Sequence, residues 1–124
     1  MYFINCGNRD HERLFGTGAF FDLGTNGTQA AMAQNLRPGD TCIVARYANK
    51  ARTVVYLQRY NFTHETKQTD DKGIPQRVLH GTLQGAESLS KSDAAADARY
   101  QYMFAKNGAF KRRSVLQRTG AFGL

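Results

Sequence analysis

Residues 41–60 constrain the fold more than any other stretch of the chain. Thr41-Cys42-Ile43-Val44-Ala45-Arg46-Tyr47 is β-branched and apolar on both faces up to Arg46, the mark of a strand. Ala48-Asn49-Lys50-Ala51 reads as a turn, and Arg52-Thr53-Val54-Val55-Tyr56-Leu57-Gln58-Arg59-Tyr60 as the returning strand, so the two make a hairpin. Alternation places Val54, Tyr56 and Tyr60 on one face and Val55, Leu57 and Arg59 on the other.

The remaining segments add strands and two helices to that hairpin. Tyr2-Phe3-Ile4-Asn5-Cys6 is a strand stopped by Gly7-Asn8, and Arg9 to Leu14 is highly charged. Gly16-Thr17-Gly18 predicts a tight turn with close backbone approach, because it lacks the downstream Gly and Lys-Ser/Thr of a phosphate loop. A helix is expected over 25–36, with Asn26 as its N-cap and Gln29 three residues on, ended by Arg37-Pro38-Gly39-Asp40. Residues 63–75 are polar and read as a long exposed loop or a splayed strand pair, followed by a strand over 76–83. A second helix is expected over 93–106, capped by Ser90 or Ser92, with Ala94, Ala98, Tyr102 and Ala105 on one stripe and Asn107-Gly108 at its end. Residues 110–118 read as a short strand carrying a basic cluster. The 124 residues suit one domain, 1–124, that buries roughly two-thirds of its unfolded surface. The class expected is α+β, a small curved antiparallel sheet or barrel with two helices packed outside.

Charge narrows the partner. Seventeen Lys and Arg against ten Asp and Glu give a formal net charge of +7, and most of the cations are arginine. Arginine's planar fork suits phosphates and base edges, so nucleic acid, DNA or RNA, is the leading partner class, set against a merely solvated basic surface. No apolar run reaches the roughly 18–20 residues that span a bilayer, so no membrane partner is expected. The start of the chain carries no basic lead and no long apolar stretch, unlike a secretory signal. Two cysteines, Cys6 and Cys42, exclude a disulfide framework, and a cytoplasmic protein with buried or free thiols is the simplest reading.

Chemistry has few footholds. A pair of histidines can act as general acid and base on RNA phosphates. His11 falls in a charged turn, His64 opens the polar stretch and His80 lies in a strand, far apart in sequence. They are read as structural, so no catalytic residue is assigned and the chain is read as a non-enzyme. There is no CxxC, HExxH or His/Asp cluster, hence no expected metal or cofactor. Aromatics interleaved with cations are more suggestive: Arg46-Tyr47, Arg59-Tyr60, Arg99-Tyr100, and Phe15, Phe20 and Phe21 near Arg9 and Arg13. They either fill the core or stack bases, a contact worth roughly 1–3 kcal/mol per base.

Three segments resemble the PUA-like superfamily, especially EVE and YTH domains: Phe3-Ile4-Asn5-Cys6-Gly7-Asn8, Leu14-Phe15-Gly16-Thr17-Gly18-Ala19-Phe20-Phe21, and Leu36-Arg37-Pro38-Gly39-Asp40 leading into Thr41-Cys42-Ile43-Val44. The closing run from Tyr102 through Val115 is similar too. The resemblance implies a nucleic-acid-binding module that reads a modified or flipped base in an aromatic pocket, fused to or associated with a larger effector protein. The pocket would be lined by Asn5, Asn8, Phe15, Phe20, Phe21 and Tyr47, with phenylalanine or tyrosine replacing the tryptophan such pockets use. Lys111, Arg112 and Arg113, helped by Arg46 and Arg52, would hold phosphates. Phe20 and Phe21 are adjacent, so on an extended segment one should face the core and the other the pocket. The alternatives are a nucleotide- or small-molecule-sequestering protein and a small nuclease with a histidine pair.

Overall fold

The computed structural model describes residues 1–25, 27–100, 103–104 and 116–118. In chain order the elements are β1 (Tyr2–Asn5), α1 (His11–Phe15), β2 (Ala19–Leu23), α2 (Thr28–Ala33), β3 (Thr41–Tyr47), β4 (Val54–Thr69), β5 (Pro75–Ser90), α3 (Lys91–Ala96) and β6 (Leu116–Arg118). The strands form one sheet in the order β2-β5-β4-β3-β1-β6. The fold is α+β, as expected, but the sheet is mixed rather than antiparallel. β1 pairs parallel with β3, Tyr2 opposite Cys42 and Ile4 opposite Val44. The chain between them passes through α1, β2 and α2, the kind of long crossover that a parallel pair requires. Among the described residues no ladder joins β2 to β6, so the sheet is open and not a closed barrel.

The β3–β4 hairpin has the predicted alternation, with Cys42 opposite Tyr60 and Ala45 opposite Leu57. Its two faces seed two cores. One packs Tyr2, Ile4, Cys42, Val44, Tyr60 and Phe62 against Phe20, Phe21 and Leu79 and against Ala30 and Ala33 of α2. The other packs Phe3, Ile43, Ala45, Val55 and Leu57 against Ala94 of α3, Tyr100, Met103 and Phe104. The sheet is therefore the middle of three layers. Helices α2 and α3 cover opposite faces, and the charged segment after β1 forms a third short helix, α1.

The polar stretch over 63–75 is neither loop nor splayed pair. β4 and β5 are sixteen residues each and stay paired from Val54–Ser90 out to Thr69–Pro75. Asp70 closes the tip, its Oδ1 accepting the Lys72 and Ile74 amides at 2.9 and 2.8 Å while Gly73 takes φ 80°. The ladder satisfies the backbone groups of this polar ribbon.

Helix ends follow local chemistry. Asp40 Oδ2 accepts the Arg37 amide at 2.8 Å, and Gly39 at φ 94° completes the turn that stops the first predicted helix. That helix is shorter than expected, Thr28–Ala33, and its predicted cap Asn26 lies outside the described residues. Ser90 caps α3 by accepting the Asp93 amide at 3.1 Å. α3 stops at Ala96 rather than at 106, because Asp97 Oδ1 accepts the Arg99 amide at 2.9 Å in a turn that competes with the helix. Tyr102 and residues 105–108 of the expected helix lie outside the described residues.

Gly16-Thr17-Gly18 brings two backbones together as predicted. The Gly81 amide donates to the Gly18 carbonyl at 2.9 Å, and a Cβ on Gly81 would sit 2.4 Å from the Asn61 carbonyl oxygen. Beyond it, Ala19 pairs with His80 and Phe21 with Leu79, leaving Phe20 as the extra residue of a bulge. The bulge cancels the alternation that should separate Phe20 from Phe21. Both rings enter the same core, each about 2% exposed.

Candidate functional site

The predicted base pocket does not assemble as an open cavity. Phe20 stacks on Tyr60 at 5.0 Å inside the core, and Phe21 lies beside His11. Asn5 is buried, its Oδ1 accepting the Gly7 amide at 3.2 Å. Asn8 is exposed, and Phe15 is half-buried at the end of α1. Arg52 covers the ring of half-buried Tyr47 at 5.5 Å, and Arg46 covers Tyr56 at 5.0 Å while reaching the Asp10 carboxylate at 4.0 Å. Because Arg46 and Tyr47 are neighbours on β3, these two cation–π pairs sit on opposite faces of the sheet. Lys111, Arg112 and Arg113 lie outside the described residues.

A groove opens instead on the sheet face that carries α3. It holds about 270 Å³ over an apolar floor of Ile43 and Leu57. Arg59 and Gln84 line one part of it, Arg99 and Tyr100 another, and Gly85 leaves its edge low. Arg59 lies directly opposite both Ile43 on β3 and Gly85 on β5, which fixes it on this face. It is exposed, and among the described residues it has no ion-pair partner.

Arg99 is differently placed. It bonds Asp97 and Glu87, both at 2.8 Å, and its guanidinium lies 4.7 Å from the centre of the Tyr100 ring. The Arg99 side chain holds the Asp97 carboxyl below the usual carboxylate range. Burial, with Glu87 accepting the Tyr100 hydroxyl at 2.5 Å, pushes that phenol up to about 12, so it stays protonated. Two carboxylates thus offset the charge of Arg99 and fix its plane. Arg59 keeps its full charge for a ligand.

A second polar cluster is buried. His11 Nδ1 bonds Asp22 Oδ1, and Arg9 reaches Asp22 Oδ2 at 3.2 Å. His11 and Asp22 are 3% and 5% exposed, and His11 Nε2 has no hydrogen-bond partner among the described residues. The cleft beside it, lined by His11, Phe20, Arg46 and Tyr60, is only about 10 Å³, the room of one water. Asp22 orients the imidazole as an acid–base dyad would, but no substrate-sized group fits against it. The sequence signal was the carboxylate inside Ala19-Phe20-Phe21-Asp22-Leu23, since an unpaired charge is not buried in an apolar strand.

The other two histidines, distant in sequence, meet. His64 and His80 are cross-strand partners with parallel rings, 4.7 Å between centroids and 5° between planes. Cys6 and Cys42 are buried free thiols, and burial pushes both up to about 12. Among the described residues no three His, Cys, Asp or Glu side chains group as metal ligands, and no helix is long and apolar enough to cross a membrane. Comparison with protein-family models, with curated proteins and with solved structures finds no match.

Proposed function

We propose that this chain is a nucleic-acid-binding module whose contact surface is the groove beside α3. One observation carries the reading: an exposed arginine without an ion-pair partner among the described residues stands over an apolar floor, next to a second arginine whose plane is locked. Arg59 takes a phosphate, since it alone on this wall has uncompensated charge. A base stacks on the exposed guanidinium plane of Arg99, which Tyr100 backs from below. Gln84, also lining the groove, offers an amide that hydrogen-bonds a base edge. The net charge of +7 supplies the long-range attraction that a polyanion answers. A single strand fits better than a duplex, because a base must leave its stack to reach a guanidinium plane.

The reading keeps the expected partner class and moves the site. It also keeps a non-catalytic, cytoplasmic module of the PUA-like kind, supported by the Pro38-Gly39 turn that joins α2 to β3. A free nucleotide would fill the same 270 Å³, which is the second reading. Binding of labelled single- and double-stranded oligonucleotides at two salt concentrations separates the two. A polyanion gives a steep salt dependence through counterion release, and a mononucleotide a shallow one. Arg59→Ala should weaken oligonucleotide binding and flatten the slope by roughly 0.7 for a lost single-strand phosphate contact. Unchanged affinity and slope in that variant would remove the groove from the interface.

A further inference from the structure

The His64–His80 pair lies on the same face of the β4–β5 ribbon as Arg59. His80 sits between Leu79, which packs in the α2-side core, and Gly81, which pairs with Phe62 of that core. Alternation therefore turns His80 to the opposite face, and His64, its direct partner, turns with it. Arg59 is on that opposite face through its pairing with Ile43. At a strand rise of about 3.3 Å per residue the pair is roughly 13–16 Å from Arg59, with Asn61 and Thr82 between them on the same face. A nucleic-acid strand of a few nucleotides covers that distance.

Two threonines fix how the rings are held. Thr63 Oγ1 donates to the His80 carbonyl at 3.1 Å, so toward His64 Nδ1, 3.0 Å away, it can only accept. His64 Nδ1 therefore carries the proton of that contact, and among the described residues Nε2 is not engaged. Thr66 Oγ1 lies 2.7 Å from His80 Nε2 and accepts from Gln68 at 3.0 Å. Each ring has one nitrogen tied to a hydroxyl and the other uncommitted. Two parallel rings 4.7 Å apart repel once both are charged, so the stacked geometry disfavours the doubly charged pair.

We propose that His64 and His80 are a second phosphate contact of the polyanion site, one that forms by proton uptake: a phosphate arriving beside the pair favours imidazolium, and the uncommitted nitrogens become the N–H donors that hold it. This rests on the nucleic-acid reading of the Arg59 groove and adds a pH-linked anchor to it. Protons come from solvent, at most one per ring, and no bond other than N–H is made. The groups facing the pair on this side are Thr63 and Thr66 of β4, Val78 and Thr82 of β5, and Ala19 and Asp22 of β2. Asp22 is already bonded to His11 and Arg9, and Arg59 is the cation further along the track. Glu65, Lys67 and Arg77 belong to the other face, where Arg77 binds Glu65 at 2.8 Å. No acid thus competes with a phosphate for the charged pair. Burial and the neighbouring His64 hold His80 below the ordinary imidazole range, so the free protein keeps His80 neutral at physiological pH and the bound anion must recruit its proton.

The test is calorimetric binding of a single-stranded oligothymidine near pH 6.5 in buffers of different ionisation enthalpy, beside anisotropy titrations at about pH 5.5 and pH 7.5. Net proton uptake on binding, and affinity several-fold higher at the acid pH with a steeper salt slope, are expected. His64→Gln, at an exposed site, should reduce the uptake, and His64→Gln with His80→Gln should abolish both uptake and acid gain, thermal melts showing that each variant is folded. Arg59→Ala should weaken binding at both pH values yet retain the uptake. Uptake absent from the parent, or unchanged in the double variant, overturns the proposal while leaving binding at pH 7.5 and the groove intact. Absence of binding at every pH refutes the nucleic-acid reading and this anchor together.

Discussion

Asp22 is the carboxylate that ties α1 to the sheet: its Oδ1 holds His11 Nδ1 and its Oδ2 holds Arg9. His11 is the one buried side chain of α1, so a five-residue helix docks through an imidazole instead of an apolar ring. Such a helix has little stability of its own. The hydrogen bond to Asp22 and the contact with Phe21 must hold it.

Removing one member of this pair strands the other in a dry site. His11→Ala and Asp22→Ala should each cost about 3–5 kcal/mol of unfolding free energy, measured by urea denaturation. The double variant should cost less than the sum, because the second substitution removes a group already left unpaired. Additive losses would show that the two side chains act independently. Arg9, about 44% exposed on its side chain, should contribute little when replaced by Ala.

Phe20→Ala and Phe21→Ala should both behave as core deletions, each losing about 3–5 kcal/mol. Thermal or urea unfolding checks this, with oligonucleotide affinity of the folded fraction as the second reading. Alternation predicts that the two variants diverge, one losing stability and the other binding. The bulge at Phe20 and the shared core predict parallel losses of stability. A folded Phe20→Ala protein with selectively lost affinity would return that ring to the binding surface.

The same two residues mark the limit of what the sequence reveals. The strands at Tyr2–Asn5 and Thr41–Tyr47, the Pro38-Gly39 turn, the hairpin alternation and the Ser90 cap all follow from local chemistry, and all are legible. The bulge, the parallel β1–β3 pair and the meeting of His64 with His80 are set by pairing between distant segments, which no local pattern encodes. Arg46 and Arg52 were legible as cations beside aromatics, yet each spends its guanidinium on a tyrosine ring of its own hairpin. Alternation places Arg59 on the face opposite Tyr60 but in no site, since the groove needs Arg99 and Tyr100 brought from beyond α3.

Acidification should destabilise the fold in two separate windows. His80 is held below the ordinary imidazole range by burial first and by His64 second, so the unfolded chain binds its proton more readily than the native one. Stability is then complete above the unfolded value near pH 6.5 and falls as the pH drops below it. Asp70, held down by the Ile74 and Lys72 amides, and Asp97, held down by Arg99, act in the same direction. Their contribution is present above the unfolded carboxyl value and is lost only below about pH 4. Melting temperatures measured from about pH 7.5 to pH 5 should decline in the parent and stay level in His80→Gln. A decline of equal slope in that variant would assign the first window to another group.

The two thiols should be silent in the native protein and reactive only on unfolding. Thiolate is the nucleophile, and burial holds Cys6 and Cys42 at about 12, leaving almost none of it at neutral pH. Cys6 also lies within the field of Asp22, which raises it further, although Arg46 and Arg9 pull the other way. Labelling with a disulfide reagent should therefore follow the opening of the sheet: Cys42 at the β1–β3 ladder reports global unfolding, and Cys6, on the strap leading to α1, reports release of that helix. His11→Ala should accelerate labelling of Cys6 while that of Cys42 rises only as far as global stability falls. Equal acceleration at both sites would mean that α1 and the sheet open as one unit, and rapid labelling of either thiol in the parent would contradict its burial.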